Sequence, residues 1–504
     1  LLGIWCGALF TNQYNPIVSF CNTFSVYFSN AVSQGGHAPV VLFTLVLGGV
    51  LELVDKSGGA TGLARVAREF ASTRFRALLC AWGLSMFIFF DDYSCILIVG
   101  ATLKSSLREV RVSPAKLAFI IHIVGVNLPS LCPISSWTGV ELGYIKGQYA
   151  DLGFSNGAFT VFLRTLPYRF FPLLAMMMPL LSILTRRDFG PLLSAEEEFL
   201  NTAQDEEANT LLDPLVPAPA PDDALEDSGK EPWCGNAVIP FSVIIVATFA
   251  GIFLSGMAAA GPHATIIDIV AHSESVNALL WSAAASSLVC LILFASQRLM
   301  SLETMVSTWT KGFKDMMEPI LILLLAWALG GVIVDLQTSN YLSGALAGNL
   351  PSEWLAPLGT ALAAIVSFAS GSAMGTMGIL FPLILPLAND LSGGDEQIIM
   401  QAAAAVLAGS TFGNTCSPIA DNTVLASLST GCDLVLHAKT MAPYTLLTGG
   451  VSFVFGTLPV SLGWYGPAVG LLICLAVVTG ILLLVGKDAD RPDRSKILQT
   501  TDTQ

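Results

Sequence analysis

Long stretches without a charged residue constrain the fold of this chain more than any other feature. Ala237–Met257 and Tyr465–Gly486 contain 21 and 22 consecutive uncharged residues, and Leu355–Asn389 contains 35. A helix of about 20 apolar residues crosses the hydrocarbon core of a bilayer. The longest stretch exceeds one straight helix and contains Gly371 and Pro382, so it predicts a span, a break and a second membrane segment.

Composition favours the same class of protein. Only 12% of the 504 residues are charged, against about 25% in a typical soluble domain. Apolar stretches of this kind predict about ten to twelve membrane segments, and so an all-α, multi-pass protein of the cell membrane or an organelle membrane. The ten cysteines form no CxxC pair, which favours buried side chains over disulfides or a metal site. We expect no cofactor and no nucleic-acid partner, and no nucleotide-binding motif of a primary pump is present.

The negative charge of the chain is concentrated in one segment. The formal net charge is −14, and residues 188–232 hold 13 of the 37 acidic residues together with the Pro-rich run VPAPAPDD. Such a composition cannot bury a core. We therefore predict a first transmembrane half at 1–187, an acidic disordered linker at 188–234, a second transmembrane half at 235–487 and a polar tail at 488–504.

Two short motifs recur in the same order in both halves. Leu47–Val50 (LGGV) recurs as Leu329–Val332, 282 residues later, and Pro133–Ser136 (PISS) recurs as Pro418–Asp421 (PIAD), 285 residues later. Nearly equal offsets indicate duplicated halves, which we expect to be inverted. Many secondary transporters are built from such repeats, with the substrate bound between them at broken helices near the midplane. Pro133 and Pro418 are therefore predicted to lie at paired helix breaks.

Two adjacent acids, Asp91 and Asp92, lie inside an apolar stretch. Charges at membrane depth are costly and commonly belong to ion or proton pathways, so one acid is expected to be a cation ligand or a proton carrier. Neighbours on a helix point about 100° apart, so only one, for which we favour Asp92, should face a compact site. The alternative is an acid that caps a helix at a break.

Two polar clusters surround the recurring prolines. Asn127–Trp137 contains Pro129 and Pro133, which should interrupt a helix, and Gly409–Thr423 is polar between apolar flanks. Oxygen ligands from an unwound segment suit a hard cation, whereas the alternative is a kinked helix whose hydroxyls bond its own backbone. Asp421 is the only acid of its cluster, so sodium is expected to bind through Asp421 and Asp92. The candidate ligands in the two clusters are Asn127, Ser135, Ser136, Thr411, Asn414, Ser417, Asp421, Asn422 and Thr423.

A single histidine, His122, lies in the apolar stretch Leu117–Val126. A histidine in this setting is either a hydrogen-bonded core residue or, because the free side chain titrates near neutral pH, a proton relay.

At these residues the sequence resembles the NhaC-type sodium/proton antiporter family, which belongs to a larger group of ion transporters with two hairpin-containing repeats. The resemblance implies that an ion path is lined by Asp91, Asp92, Ser135, Ser136, Ser417, Asp421 and Thr423. Relatives commonly carry an acid in place of His122, Asp-His in place of Asn414-Thr415, and Ser in place of Ala420. The matching stretches are FFDDYSCILIVGATLKS, VSPAKLAFIIHIVGVNLPSLCPISSWTGVELGYI, LLLAWALGGVIVDLQTSNYL, FASGSAMGTMGILFPL and GNTCSPIADNTVLASLSTGCDLVLHAKTMAPY.

These features together predict a secondary antiporter that exchanges sodium ions for protons by alternating access in a lipid bilayer. Competition for the same carboxylates would couple the two ions, since a protonated acid cannot hold a cation. The alternative is a sodium-coupled exchanger of small organic acids such as malate or lactate, with the anion at helix N-termini. A membrane enzyme with Asp91 and Asp92 as an acid–base pair, and a channel, are less favoured. The sequence leaves a homodimer open.

Overall fold

The fold is almost entirely helical over the residues that the structure describes. The computed structural model describes residues 1–33, 37–59, 61–62, 65, 70–154, 157–206, 231–260, 269, 273–338, 341, 344 and 350–489. Within these ranges the strands are β1 (Arg187–Asp188) and β2 (Lys487–Asp488), which pair antiparallel.

Several helices of the first half begin at polar residues whose side chains accept hydrogen bonds from free backbone N–H groups. The Ser113 hydroxyl, for example, accepts a hydrogen bond from the Lys116 amide at 3.1 Å, as expected of an N-cap. A π-helical turn covers Thr23–Phe28 and a 3₁₀ turn covers Leu166–Tyr168. The helices are α1 (Leu2–Thr11), α2 (Pro16–Asn22), α3 (Ser29–Ser33), α4 (His37–Lys56), α5 (Arg74–Phe87), α6 (Asp92–Glu109), α7 (Pro114–Leu131), α8 (Ser136–Asp151), α9 (Ala158–Thr165), α10 (Phe170–Thr185) and α11 (Gly190–Glu206).

Helices of the second half follow the same capping chemistry. Asp433 accepts a hydrogen bond from the Leu436 amide at 2.9 Å and so caps a helix. A 3₁₀ turn covers Ser352–Trp354 and a π-helical turn covers Ser452–Thr457. The helices are α12 (Gly235–Ala260), α13 (Ser275–Ser296), α14 (Leu302–Asp315), α15 (Met317–Asp335), α16 (Leu355–Ser370), α17 (Ala373–Ser392), α18 (Glu396–Cys416), α19 (Asp421–Thr430), α20 (Leu434–Val451), α21 (Leu458–Ser461) and α22 (Pro467–Val485).

The described helices confirm an all-α, multi-pass membrane protein. Nine of them are long and apolar enough to cross a membrane, and ten spans result if the pair Ala158–Tyr168 and Phe170–Thr185, bent by 56°, counts as one. This number meets the lower end of the predicted range. Pro114–Leu131 is 89% buried within the protein, whereas Pro467–Val485 is only 22% buried. Helix α7 is therefore central, and α22 lies at the periphery, where lipid can cover it.

Four helices are interrupted at corresponding places in the two halves. The breaks lie at residues 88–91 between α5 and α6, 132–135 between α7 and α8, 371–372 between α16 and α17, and 417–420 between α18 and α19. Gly371 has a φ of +69°, a left-handed conformation that glycine adopts without strain. The predicted break in the long apolar stretch is thereby located.

Pro133 and Pro418 both lie in such breaks, as the repeat predicts. The same hydrogen bond closes the two breaks. The Thr138 hydroxyl donates to the Cys132 carbonyl at 2.5 Å, and the Thr423 hydroxyl donates to the Ser417 carbonyl at 2.7 Å. Both pairs of residues are separated by the offset of 285 found for the prolines, which supports duplication. The inverted relation of the halves stays a prediction.

The expectation that Pro129 also interrupts its helix was wrong. Helix α7 continues through Pro129 and ends at Leu131. A proline lacks an N–H and so removes one intrahelical hydrogen bond. With only two residues of helix remaining beyond it, the chain tolerates the proline and breaks at Pro133.

The start of the predicted disordered linker is ordered, which corrects that prediction. Residues 187–188 form β1 and Gly190–Glu206 forms helix α11, while residues 207–230 lie outside the described part of the chain. Two acids counted there as solvated are buried. Asp188 accepts hydrogen bonds from the Lys116 ammonium at 2.6 and 2.7 Å, and Glu196 binds Arg74. Pairing with basic residues allows these acids to be buried.

The start of the predicted polar tail is ordered as well. Lys487 and Asp488 form β2 and pair with Asp188 and Arg187. Residues 490–504 lie outside the described ranges.

The first LGGV motif marks a close helix crossing. A Cβ on Gly48 of α4 would lie 2.6 Å from the Gly312 carbonyl oxygen of α14, and a Cβ on Gly312 would lie 2.2 Å from the Gly48 carbonyl oxygen. Only glycine permits this approach of two backbones. The motif of the second half packs differently, since a Cβ on Gly330 would meet no atom closer than 3.5 Å.

Replacement of Gly48 by alanine tests this crossing. Gly48→Ala is expected to lower the free energy of unfolding by about 1–3 kcal/mol, because the added methyl group forces the two helices apart. Gly330→Ala is the matched control and should leave stability unchanged or slightly raised, since alanine favours helix. Thermal unfolding of the detergent-solubilised protein measures both. Equal losses in the two variants would contradict the crossing.

Candidate ion-binding site

All four helix breaks border one cavity of about 290 Å³. Each break contributes the first residues of the helix that follows it, so the N-termini of α6, α8, α17 and α19 converge there. Helices α14 and α15 contribute the remaining wall. The lining residues are Asp91, Asp92, Tyr93, Ser136, Trp137, Asp315, Met316, Ile322, Ser370, Gly371, Ser372, Ala373, Met374, Asn414, Ile419, Asp421 and Asn422.

Asp91 is the N-cap of α6 and also lines the cavity. One carboxylate oxygen accepts hydrogen bonds from the Ser94 amide at 2.9 Å and the Ser94 hydroxyl at 2.8 Å. The other accepts a hydrogen bond from the Ser136 hydroxyl at 2.9 Å, and the Ser136 amide donates to the Phe90 carbonyl at 2.8 Å. These bonds join the α5–α6 break to the first residue of α8.

Asp92 connects the two halves of the chain. It is the first residue of α6, and it is buried. Its carboxylate accepts a hydrogen bond from the side-chain amide of Asn422 at 2.9 Å. The expectation that only one of the two acids could face a compact site was wrong, because both line the cavity. Asp91 has extended backbone angles (φ −157°, ψ 136°), so the helical separation of about 100° does not apply to the pair.

Asp421 opens α19 on the opposite side of the same contact. Its exposed carboxylate accepts a hydrogen bond from the Tyr93 hydroxyl and another from the backbone N–H of Asn422 at 2.8 Å. Asp92 is therefore hydrogen-bonded to Asn422, and Tyr93 to Asp421. These bonds connect the start of α6 in the first half to the start of α19 in the second half.

Three buried amide oxygens of the predicted site have no hydrogen-bond partner within the described chain. They are the Oδ1 atoms of Asn127, Asn414 and Asn422. Buried polar atoms are nearly always satisfied, so an unpaired amide oxygen beside a cavity points to a ligand. Asn414 and Asn422 line the cavity, whereas Asn127 does not and donates to the Ile123 carbonyl at 2.7 Å.

Four predicted hydroxyl ligands serve the backbone, and none of them lines the cavity. Such bonds hold the breaks in place and leave Ser136 as the one predicted hydroxyl that reaches the cavity. The bonds run from Ser135 to the Pro129 carbonyl at 2.6 Å, from Thr411 to Leu407 at 2.8 Å, from Ser417 to Phe368 at 2.9 Å and from Thr423 to Ser417 at 2.7 Å.

The cavity also contains residues that the sequence reasoning missed. Asp315 is the last residue of α14 and lies directly before an apolar stretch, where an acid is easily assigned to a loop. Ser372 caps α17 by accepting from the Gly375 amide at 3.1 Å, and it lies 281 residues after Asp91, the cap of α6. The repeat offset could therefore have identified it.

Among the described residues that line the cavity, four are aspartates and none is basic. The negative potential of such a cleft concentrates cations. The described His, Cys, Asp and Glu residues form no group of three or more that could hold a metal ion. Carboxylate and amide oxygens in this mixture are the ligands of a hard, weakly held cation.

A buried ion pair holds the end of helix α7, next to the break at residues 132–135. The Arg169 guanidinium donates to the Glu141 carboxylate at 2.6 Å and to the Ser130 carbonyl in the last turn of α7. Both side chains are almost fully buried, at 0% and 1% exposure. The Thr165 hydroxyl accepts two further bonds from the guanidinium, at 2.9 and 3.1 Å.

Removal of one partner of this pair tests its structural role. Glu141→Gln is expected to lower the free energy of unfolding by about 3–5 kcal/mol, because an uncompensated guanidinium stays buried. Adding Arg169→Gln should recover part of the loss, which a double-mutant cycle measures by thermal unfolding. The partly exposed Arg164–Glu396 pair is the control, for which Glu396→Gln should cost about 1 kcal/mol or less. Equal costs for Glu141→Gln and Glu396→Gln would contradict the role.

His122 is buried outside the cavity and is not alone. Its Nδ1 lies 2.9 Å from Nε2 of His437 on α20. The sequence reasoning missed His437, which lies far along the chain on a helix that packs against α7.

Broken helices around an acidic cavity, with nine or ten candidate spans among the described residues, are the architecture of a membrane transporter. Residues 130–458 match the Na⁺/H⁺ antiporter family, and the chain belongs to this family. This confirms the sodium/proton antiporter part of the resemblance seen in the sequence. The narrower NhaC-type assignment stays a prediction.

Two proteins of Haemophilus influenzae are similar in sequence to this chain. An uncharacterized protein of Haemophilus influenzae is 27% identical over 412 residues, which cover 80% of this chain and 75% of the relative. An uncharacterized Na⁺/H⁺ antiporter of the same organism is 32% identical over 108 residues, 21% of this chain and 22% of the relative.

The YdaH transporter of Alcanivorax borkumensis shares the fold of this chain. The two structures have a TM-score of 0.53 and 16% sequence identity over 90% of each chain. MtrF of Neisseria gonorrhoeae, described among a class of antimetabolite efflux pumps, gives a TM-score of 0.44 at 16% identity, over 94% of this chain and 86% of MtrF.

Proposed function

We propose that this chain is a secondary active antiporter that exchanges sodium ions for protons by alternating access. The observation that carries the proposal is the cavity in which two helix starts, one from each half, bring together Asp92 and Asp421. Sodium binds there to these carboxylates and to the unpaired amide oxygens of Asn414 and Asn422. The family to which the chain belongs supports sodium and protons as the transported species.

Competition for the carboxylates couples the two ions. A carboxylate that has taken up a proton loses the charge that holds a cation, so sodium and a proton exclude each other. The Asn422 side-chain amide donates to Asp92 and the Tyr93 hydroxyl donates to Asp421. A sodium ion replaces these donors, because a cation and an N–H or O–H group compete for the same lone pairs.

Alternating access follows from where these bonds lie. They cross between the two halves, and the helix breaks on either side are points at which short segments can move. Sodium binding draws the α6 and α19 starts onto one ion, whereas protonation leaves them joined only by neutral hydrogen bonds. The two loaded forms therefore favour different arrangements of the halves.

A second candidate is a sodium-coupled exchange of small organic acids, and one observation favours it. Four helix N-termini converge on the cavity, and helix N-termini attract anions. However, the carboxylates of Asp91 and Asp421 already lie at two of them. The described lining contains four aspartates and no basic side chain, so a carboxylate substrate would meet a net negative cavity.

Neutralisation of Asp421 tests the sodium site. Asp421→Asn is expected to abolish sodium-dependent proton movement, because the amide cannot replace the charge that sodium requires. Proteoliposomes with a trapped pH dye measure the response to sodium, lithium, potassium and malate. Asp395→Asn is the matched control, since Asp395 caps α18 outside the cavity and asparagine caps equally well. Wild-type exchange in Asp421→Asn, or a response to malate alone, would refute the proposal.

The two acids of the first half are expected to differ in the same assay. Asp91→Asn keeps the cap of α6, because asparagine accepts the same backbone bond, so exchange should be reduced but measurable. Asp92→Asn removes the charge that faces Asn422 and should abolish exchange. Folded protein is verified by size-exclusion chromatography and thermal unfolding. Full activity in both variants would show that the first half supplies no cation ligand.

A further inference from the structure

A pair of buried histidines joins the halves at a place separate from the cavity. His122 lies on α7 and His437 on α20, both at 0% exposure. The His122 Nδ1 and His437 Nε2 atoms are 2.9 Å apart, which is a hydrogen bond between the two imidazoles. Neither residue lines the cavity.

The outer nitrogen of each ring is buried and has no partner among the described residues. These atoms are Nε2 of His122 and Nδ1 of His437. In a neutral pair one inner nitrogen carries the shared proton, so one outer nitrogen is an N–H donor and the other a bare acceptor. A pair that only tied two helices together would leave both unsatisfied, at a cost of about 1–3 kcal/mol each.

No ionised side chain fixes a proton on this pair. Among the described residues, the ionisable groups on α7, on α20 and on the helices packed against them include Asp92, Lys104, Lys116, Glu141, Glu196, Asp421, Lys439 and Tyr444. None of these side chains is hydrogen-bonded to either imidazole, and Asp92, Lys116, Glu141, Glu196 and Tyr444 are bound to other residues. A proton that reaches the pair therefore has no salt bridge to hold it there.

The pair lies close to the cavity wall. A Cβ on Gly125 of α7 would be 3.6 Å from the carbonyl oxygen of Asp92, so α7 contacts the start of α6 at this residue. His122 is three residues earlier, about one helical turn or ~4.5 Å along the axis. His122 is thus about one helical turn from the point at which α7 contacts the backbone of Asp92, and it is not among the proposed cation ligands.

We propose that His122 and His437 form a proton relay that serves the cavity acids, separate from the sodium ligands. A proton binds the bare outer nitrogen of one imidazole, whose inner N–H proton crosses the 2.9 Å bond to the second imidazole. The second ring then releases the proton of its outer N–H. One proton enters and one leaves, and both rings are neutral again with exchanged tautomers, so the pair is set to carry the next proton in the opposite direction. The relay rests on the proposed sodium/proton exchange.

Two transport modes of the same proteoliposomes test the relay. Exchange of radioactive sodium for unlabelled sodium needs no proton, whereas sodium/proton exchange needs the relay. In His122→Gln and His437→Gln, glutamine keeps a hydrogen bond between the helices but cannot carry an excess proton. We expect sodium/proton exchange to fall at least about tenfold, as for loss of a proton-transferring group, while sodium/sodium exchange stays near that of the wild type.

The control variant is Thr448→Val, a buried position of α20 whose hydroxyl bonds only carbonyls of its own helix. It should leave both modes unchanged. In wild-type protein, sodium/proton exchange should be slower in D₂O than in H₂O, with no such effect on sodium/sodium exchange; this measurement does not depend on whether a variant folds.

Three outcomes would overturn the relay. Unchanged sodium/proton exchange in both glutamine variants would show a structural tie. An equal loss of both modes would show that the pair shapes the sodium site. Absence of sodium-dependent proton movement in the wild type would refute the proposed function together with the relay, whereas intact wild-type exchange with unaffected variants refutes the relay alone.

Discussion

The need to satisfy every backbone polar group in a membrane governs this structure. Hydrocarbon offers no hydrogen bonds, so a helix can be broken at membrane depth only where protein groups or a polar cavity satisfy its ends. Among the described helices, the four breaks at corresponding places in the two halves all border one cavity. Most of the polar residues in the breaks serve this purpose: Ser135, Ser417 and Thr423 bond backbone carbonyls. The breaks thus create the site, and most of the hydroxyl groups near them hydrogen-bond to the backbone carbonyls that the breaks leave free.

Charge balance in the cavity follows from the same breaks. Each break presents a helix N-terminus, and a helix N-terminus stabilises negative charge by about 0.3–1 kcal/mol. Asp91, Asp92 and Asp421 lie at or next to the starts of α6 and α19, so these acids are held by backbone dipoles rather than by basic side chains. Lysine or arginine partners would be fixed cations that compete with sodium. Helix dipoles stabilise the acids and leave their outer lone pairs to a mobile ion.

The sequence predicted the membrane class, the breaks at Pro133 and Pro418 and the three acids, because each leaves a local signal: a charge, a proline or an apolar stretch of countable length. It could not predict which hydroxyls reach the cavity, since Ser135 and Ser136 differ only in the direction their side chains take from an extended and a helical residue. Long-range pairing was equally hidden. The buried role of Asp188 and the contact of His122 with His437 depend on helices far apart in the chain.

The two halves differ in one respect that bears on how many cations the protein can hold. In the first half the freed carbonyl of Ser130 is occupied by the Arg169 guanidinium, whose charge Glu141 balances. The residues 285 positions after Glu141 and Arg169 are Ala426 and Val454, so the second half has no such tethered cation. The unpaired amide oxygens that line the cavity, Asn414 and Asn422, both belong to the second half. Under the proposed exchange, this asymmetry favours a single cation site shared between the halves over two equivalent ones.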